Sequence, residues 1–144
     1  MMIMGTQEVK LLEKIPEKPN SDEILSYIQM NRISGKHFQL IKNFTGLNDN
    51  DISSLLQINI KTFRTKSKET EPIKSSLLSE YLITLISLFK HGQEVFGTIN
   101  KFNEWLNKNH FFFNKKPPIL FLNTIAGIKF VDDRLTGMQY GDNA

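Results

Sequence analysis

Residues 96–144 read FGTINKFNEWLNKNHFFFNKKPPILFLNTIAGIKFVDDRLTGMQYGDNA, which is the most regularly patterned stretch of the chain. Thr98 and Thr124 each precede apolar residues at helical spacing, where a threonine hydroxyl can cap the free N–H groups of a helix. Pro118 suits the first position of a short helix, and Gly137 is predicted to end the last helix. One face of that last helix carries a ladder of apolar residues, Ile128, Val131, Leu135 and Met138.

The preceding chain continues the helical pattern, so the sequence predicts an all-α fold. Ser21 and Ser34 are placed to cap short amphipathic helices. A long helix is predicted from Ile73 to Phe89, with apolar residues over more than half of its circumference and Gly92 closing or kinking it. Pro16 and little periodicity mark the first residues as a flexible arm. The predicted divisions are the arm (1–20), a helix-turn-helix unit (21–72), a long connecting helix (73–92) and a C-terminal helical domain (93–144).

Residues 47–69, LNDNDISSLLQINIKTFRTKSKE, predict two short helices joined by a tight turn. Asn48 and Asn59 can cap them, and Ile60 and Phe63 are expected to pack inward. This order resembles the Xre-type helix-turn-helix, whose second helix enters the major groove of DNA. Gln57 stands where that motif usually has glycine, so the turn is expected to be strained or longer. The candidate DNA-binding residues are Asn59, Lys61, Thr62, Arg64, Thr65, Lys66 and Lys68.

The charge distribution agrees with this placement. The net charge of the chain is only +3, but Lys61 to Lys68 carries four basic residues and no acidic one. A local basic strip on a nearly neutral protein is typical of contact with the phosphate backbone of nucleic acid. The alternative, a basic helix face that only meets solvent, is about equally compatible with the charges alone.

The residue inventory predicts no enzymatic activity, no metal site and no cofactor. The chain has no cysteine, and His37, His91 and His110 lack the spacing of metal ligands. Asp132 and Asp133 are adjacent, so their side chains point in different directions on a helix. We expect them to be solvated or paired with Lys129, with no histidine naturally placed beside them. The chain also has no apolar run long enough for a membrane span and no signal-peptide pattern, which predicts a cytoplasmic protein.

The aromatic residues of the C-terminal third have different expected environments. Trp105 shares a face with Phe102 and is predicted to lie in the core. Phe111, Phe112 and Phe113 are consecutive, so at least one of them must be exposed or in an oligomer contact. Tyr140, near the terminus, either folds back onto the domain or remains available to a partner; the second interpretation is preferred.

The C-terminal stretch resembles the C-terminal domain of the Xre/MbcA/ParS antitoxin family. The resemblance rests on a Phe-Gly pair, a Trp-Leu pair, a proline that opens a leucine-rich turn, and a Thr, Gly, Val, Leu and Gly at set spacing. In this chain those positions are Phe96, Gly97, Trp105, Leu106, Pro118, Leu122, Thr124, Gly127, Val131, Leu135 and Gly141. It covers about the last third of the chain and follows the helix-turn-helix in the expected order.

The resemblance implies an antitoxin of a type II toxin–antitoxin system that binds a RES-domain toxin, an enzyme that degrades NAD. It implies that the toxin contacts fall on the last helix and the tail, at Arg134, Met138, Gln139, Tyr140 and Gly141. It also implies that the N-terminal unit binds operator DNA and that the protein is a homodimer. The alternative is a stand-alone helix-turn-helix transcriptional regulator with a C-terminal oligomerisation domain.

Overall fold

A computed structural model describes residues 4–141 of the chain. Over these residues the fold is all-α, as the sequence predicts. They form no β-strand, and the one β-type pairing is an isolated antiparallel bridge between His110 and Lys116. The helices are α1 (Thr6–Lys14), α2 (Ser21–Met30), α3 (Gly35–Thr45), α4 (Asp49–Leu56), α5 (Ile60–Lys68), α6 (Ser76–Phe96), α7 (Ile99–Leu106) and α8 (Ile125–Gln139), with short 3-10 helices at Phe111–Phe113 and Pro118–Phe121. None of the described helices combines the length and apolarity that crossing a bilayer requires.

Helix α6 is the centre of the fold. Every residue from Tyr81 to Gly92 is buried, because α6 packs against α2 and α3 as well as against α7 and α8. The helix begins later and ends later than the predicted Ile73–Phe89, with Ser75 as its cap. Gly92 does not close it, since α6 continues to Phe96. A side chain at Gly92 would overlap the ring of Phe102, so this glycine lets α7 approach α6 closely.

The N-terminal half is built around the packing of α3 on α5, in which the rings of Phe38 and Phe63 lie 5.8 Å apart, edge to face. Ser34 caps α3 as predicted. The N–H of Gly35 donates a 3.2 Å hydrogen bond to the carbonyl of Glu69, just beyond α5. A side chain at Gly35 would collide with the carbonyls at the end of α5, so glycine is needed where the two helices meet.

The C-terminal half packs aromatic rings between α6, α7 and the loop that follows. Trp105 is buried, as predicted, and its ring stacks on that of Phe102 at 6.1 Å. The start of α8 lies so close to the second 3-10 helix that a side chain at Gly127 would overlap the carbonyl oxygen of Phe121. The expected close backbone approach at Gly127 is therefore present, while Thr124 caps α8 through the N–H of Gly127.

Three further sequence-based expectations, one about the N-terminal arm and two about helix ends, need correction. In place of a featureless arm, Thr6–Lys14 forms α1, and Ile15 is buried in the core; residues 1–3 of the predicted arm lie outside the described part. Asn20, rather than Ser21, caps α2. Helix α8 runs past Gly137 to Gln139, because the N–H of Tyr140 still bonds to the carbonyl of Thr136.

Candidate functional site

The turn between α4 and α5 has the backbone conformation for which glycine would be the ordinary choice. Gln57 adopts φ 59° and ψ 38°, in the left-handed region, and its N–H still bonds to the carbonyl of Ser54 at 3.2 Å. Asn59 then caps α5 by accepting a 2.7 Å hydrogen bond from the N–H of Thr62. The turn is thus strained at Gln57 but not lengthened, and Asn59 has its side-chain oxygen committed to the helix cap.

Helix α5 places four of the predicted DNA-binding residues on one exposed face. Lys61, Arg64, Thr65 and Lys68 line a single shallow depression, at the spacing of successive helical turns. Thr62 and Lys66 are beside this face, Thr62 half-exposed at the start of the helix and Lys66 half-buried near its end. Of the residues expected to pack inward, Phe63 is buried and Ile60 is half-buried.

Asp49, at the start of α4, holds Arg64 in place. The Nε of Arg64 and the Nζ of Lys42 each lie 3.0 Å from an oxygen of this carboxylate. The hydrogen bond from Lys42, together with that from Arg64, lowers the pKa of Asp49 against the opposing effect of burial. Arg64 is therefore an exposed guanidinium that is held through its Nε. Because the side chain is already ordered, it would lose less entropy on binding a phosphate or a base.

The exposed end of α8 and the loop before it form the second candidate surface. Phe111 is 88% exposed and Phe113 only 1%, so the three consecutive phenylalanines divide between surface and core, as predicted. The guanidinium of Arg134 lies 4.8 Å from the ring centre of Phe112. That ring in turn stacks on Phe130 at 5.9 Å. An arginine on an aromatic platform is a common anchor in protein interfaces.

The predicted toxin-binding residues beyond Arg134 end the same helix. Met138 is half-buried and packs on the core, while Gln139 is exposed. Tyr140 is 79% exposed, so it does not fold back onto the domain. Gly141 has a φ of 102°, a conformation that other residues rarely adopt. Residues 142–144, which complete the tail, lie outside the described part.

A buried histidine to which the sequence pattern assigns no role connects the core to this end of α8. The Nδ1 of His91, on α6, bonds to a carboxylate oxygen of Asp132, and its Nε2 lies 2.9 Å from Oε1 of Gln139. Asp132 pairs with His91, so the expectation that it is solvated or paired with Lys129 is wrong, and Lys129 bonds instead to Ser21. The expectation that no histidine lies beside these carboxylates is also wrong.

The surroundings of His91 favour its protonated form. Burial alone would lower the pKa of His91, and Lys18 acts in the same direction. The hydrogen bonds to Asp132 and Gln139 and the negative charge of Asp132 outweigh both, so the pKa is raised above its ordinary value of 6.5. No group of His, Asp and Glu residues between positions 4 and 141 has an arrangement that could hold a metal ion.

Comparison with known proteins gives one family. Residues 91–141 match the family model of the antitoxin Xre/MbcA/ParS C-terminal toxin-binding domain. The matched segment begins at His91 inside α6, covers α7 and α8, and ends at Gly141. It supports the antitoxin interpretation of the C-terminal half and leaves α1 to α5 without a matched family. No curated protein matches the chain.

Proposed function

We propose that this chain is an antitoxin that binds and inhibits a RES-domain toxin, an enzyme that degrades NAD, and that it represses its own operon by binding operator DNA. The match of residues 91–141 to a toxin-binding domain carries the first part of the proposal. The choice of a RES-domain toxin rests on the family resemblance of the Phe-Gly, Trp-Leu and Pro pattern in this region.

The end of α8 supplies the proposed binding segment for the toxin. Tyr140 presents a large amphipathic ring that the fold leaves exposed, and such rings are enriched at the energetic centres of interfaces. Arg134 and Met138 lie on the same helix, before the tail. Gln139 and Gly141 complete the proposed toxin-binding segment. Met138 and Gln139 anchor the end of the helix to the fold, while the exposed ring of Tyr140 is available for obstruction of an enzyme site.

Operator binding is proposed for the exposed face of α5. The exposed cations Lys61, Arg64 and Lys68 lie at the spacing that would direct them to one DNA groove. Asn59 and Thr62 would then lie at the end of the helix that enters the groove. We further propose a homodimer, since two such helices reading a palindromic operator require a two-fold axis.

Co-expression with the product of the adjacent reading frame tests the toxin partner. We expect the two proteins to co-purify and the antitoxin to abolish NAD degradation by its partner. A chain ending at Gly137, which removes residues 138–144, should keep its helical circular dichroism and lose both properties. Lys108→Ala, an exposed change just after α7, is the control and should keep both. Full neutralisation by the shortened chain would refute the role of the tail.

A stand-alone transcriptional regulator is the second candidate, favoured by the exposed cations of α5. It would bind its operator with no partner present, and the neighbouring gene product would not be toxic. The variant Arg64→Ala/Lys68→Ala, which removes two of the three exposed cations, should weaken DNA binding. It should also reduce the salt dependence of the affinity, by about one released counterion for each phosphate contact that is lost. The variant Lys108→Ala should leave both quantities unchanged. An unchanged salt dependence in the double variant would show that α5 does not contact DNA, whether the protein is an antitoxin or a stand-alone regulator.

A further inference from the structure

His91 is fully buried on α6, yet both of its ring nitrogens are bonded to side chains of α8. Asp132 lies in the middle of α8, and Gln139 is its last residue, two helical turns later. The histidine therefore ties the middle and the end of α8 to the helix that forms the centre of the fold.

The two oxygen atoms that face the ring favour its protonated form. A carboxylate oxygen only accepts, and an imidazole that donates from both nitrogens must be an imidazolium. The Asp132 carboxylate compensates the buried charge and fixes the ring plane, which directs the second N–H towards Gln139. This arrangement is the one expected of a ring that positions another group rather than of a residue that merely fills space.

The position of this charge also suits the end of a helix. The last turn of α8 contains no basic residue of its own. A positive charge near the C-terminus of a helix stabilises it through the unpaired carbonyl groups there. The hydrogen bonds that close this turn run from the N–H of Tyr140 to Gly137 at 3.1 Å and from that of Gly141 to Met138 at 3.2 Å. A fixed Gln139 side chain holds this turn against fraying.

We propose that His91 is a positioning residue for toxin recognition: as an imidazolium between Asp132 and Gln139, it fixes the last turn of α8 and the direction in which Tyr140 and Gly141 leave the fold. The inference rests on the proposed function, because it assigns a role in the same binding segment. It adds a condition for binding, namely that the tail is held only while His91 is charged.

The charged groups around the ring set the direction of the pH effect. Asp132 from α8 favours the proton, and Lys18 from the segment between α1 and α2 opposes it. Glu17 and Glu23 line the same surface depression as Lys18 and Asp132. Because the pKa of His91 is raised, the stabilisation of the last turn is complete below 6.5 and disappears as the pH rises through the higher folded-state pKa.

The test uses the isolated full chain. Nitrogen NMR should show both ring nitrogens of His91 protonated at about pH 6 and should follow the loss of one proton as the pH rises. Over that titration, amide exchange should show that the protection factors of Tyr140 and Gly141 fall about tenfold, the effect of losing one hydrogen bond to a charged group. Asp132→Asn and Gln139→Ala should abolish this pH dependence, with low protection throughout. Asp133→Asn, an exposed neighbour, is the matched control and should behave as the wild type.

Equal protection factors on both sides of the titration, or equal profiles for Asp132→Asn and Asp133→Asn, would overturn the proposal. Gln139→Ala changes an exposed side chain, so it decides the matter even if Asp132→Asn does not fold. None of these measurements requires a toxin, and the absence of a RES-domain partner would defeat only the proposed function. Where the partner binds, its affinity for the wild type should fall about tenfold over the same pH range and that for Gln139→Ala should not change with pH.

Discussion

The ammonium group of Lys90, on α6, donates a hydrogen bond of 2.6 Å to the carbonyl oxygen of Ile15, 75 residues earlier in the chain. It also donates to the carbonyl of Leu12 at 2.7 Å and lies 3.1 Å from the carboxylate of Glu17. A buried cation thus binds two carbonyls at the C-terminus of α1 and complements the negative end of its dipole. This interaction makes α1 part of the fold.

Replacement of Lys90 by Met should detach α1. The carbonyls of Leu12 and Ile15 would be left without their buried charged partner, and the free energy of unfolding should fall by about 3 kcal/mol. Urea denaturation measures the decrease, and limited proteolysis should cut first within residues 6–14. Lys10→Met, an exposed change on α1 itself, is the control and should alter neither. Slow proteolysis of α1 in the Lys90→Met protein would contradict the anchoring role.

Replacement of Gln57 by Gly should stabilise the protein. The left-handed conformation costs a residue with a Cβ about 1 kcal/mol, and glycine removes most of this strain. The gain should appear in the urea midpoint. Gln57→Ala retains the Cβ and should bring no gain, so equal midpoints for the two variants would show that the backbone conformation is not the cause.

Replacement of Gly127 by Ala should be strongly destabilising. The added methyl group would overlap the carbonyl of Phe121, and neither backbone can move without separating α8 from the second 3-10 helix. A decrease in stability of about 3 kcal/mol or more is expected, in the range of severe overpacking. Thermal unfolding measures it. Gly5→Ala, where a Cβ would meet open space, serves as the matched change and should have a small effect.

Acid should destabilise the N-terminal half through His37. Burial lowers the pKa of His37 from 6.5 to about 4, while its Nε2 lies 3.0 Å from the Tyr27 hydroxyl. The neutral ring is favoured in the fold, so its contribution is present above 6.5 and disappears as the pH falls towards 4; the decrease in the free energy of unfolding is about 3 kcal/mol. Urea unfolding at neutral and acid pH checks this.

The variant His37→Gln separates this effect from that of the carboxylates. Its stability should fall less than that of the wild type over the same pH range, because it has no ring to protonate. Protonation of His91 should instead raise the free energy of unfolding, since its charged form is the one that the fold favours. An identical pH profile in the wild type and in His37→Gln would mean that His37 does not cause the acid sensitivity.

Local patterns predicted most of the helices because the caps act locally. Ser34, Asn48, Asn59, Thr98 and Thr124 each cap the helix that was predicted from them. The errors have non-local causes. Pro16 and weak periodicity gave no sign of α1, whose docking depends on Lys90, far along the chain. Gly92 and Gly137 were predicted to end helices, yet Gly92 serves the approach of α7 and Gly137 lies inside α8.

The candidate surfaces were accessible to sequence reasoning to different degrees. The division of the phenylalanines followed from the fact that three consecutive aromatic side chains cannot all be buried on one face. The exposure of Tyr140 was the preferred one of two alternatives, because this residue lies beyond the predicted last helix. The pairing of His91 with Asp132 did not follow, because 41 residues separate them and only the packing of α6 on α8 brings them together. A lone histidine within a long apolar helix was the available signal, since a buried imidazole requires a partner.

The burial of α6 from Tyr81 to Gly92 has a consequence for how such proteins diversify. Both halves pack against this one helix, so within residues 4–141 they share a core and cannot be exchanged independently. A recombination breakpoint at the start of the matched segment, at His91, would fall inside α6. We therefore expect the exposed faces of α5 and α8 to accept substitution independently, and the residues that contact α6 to be constrained together.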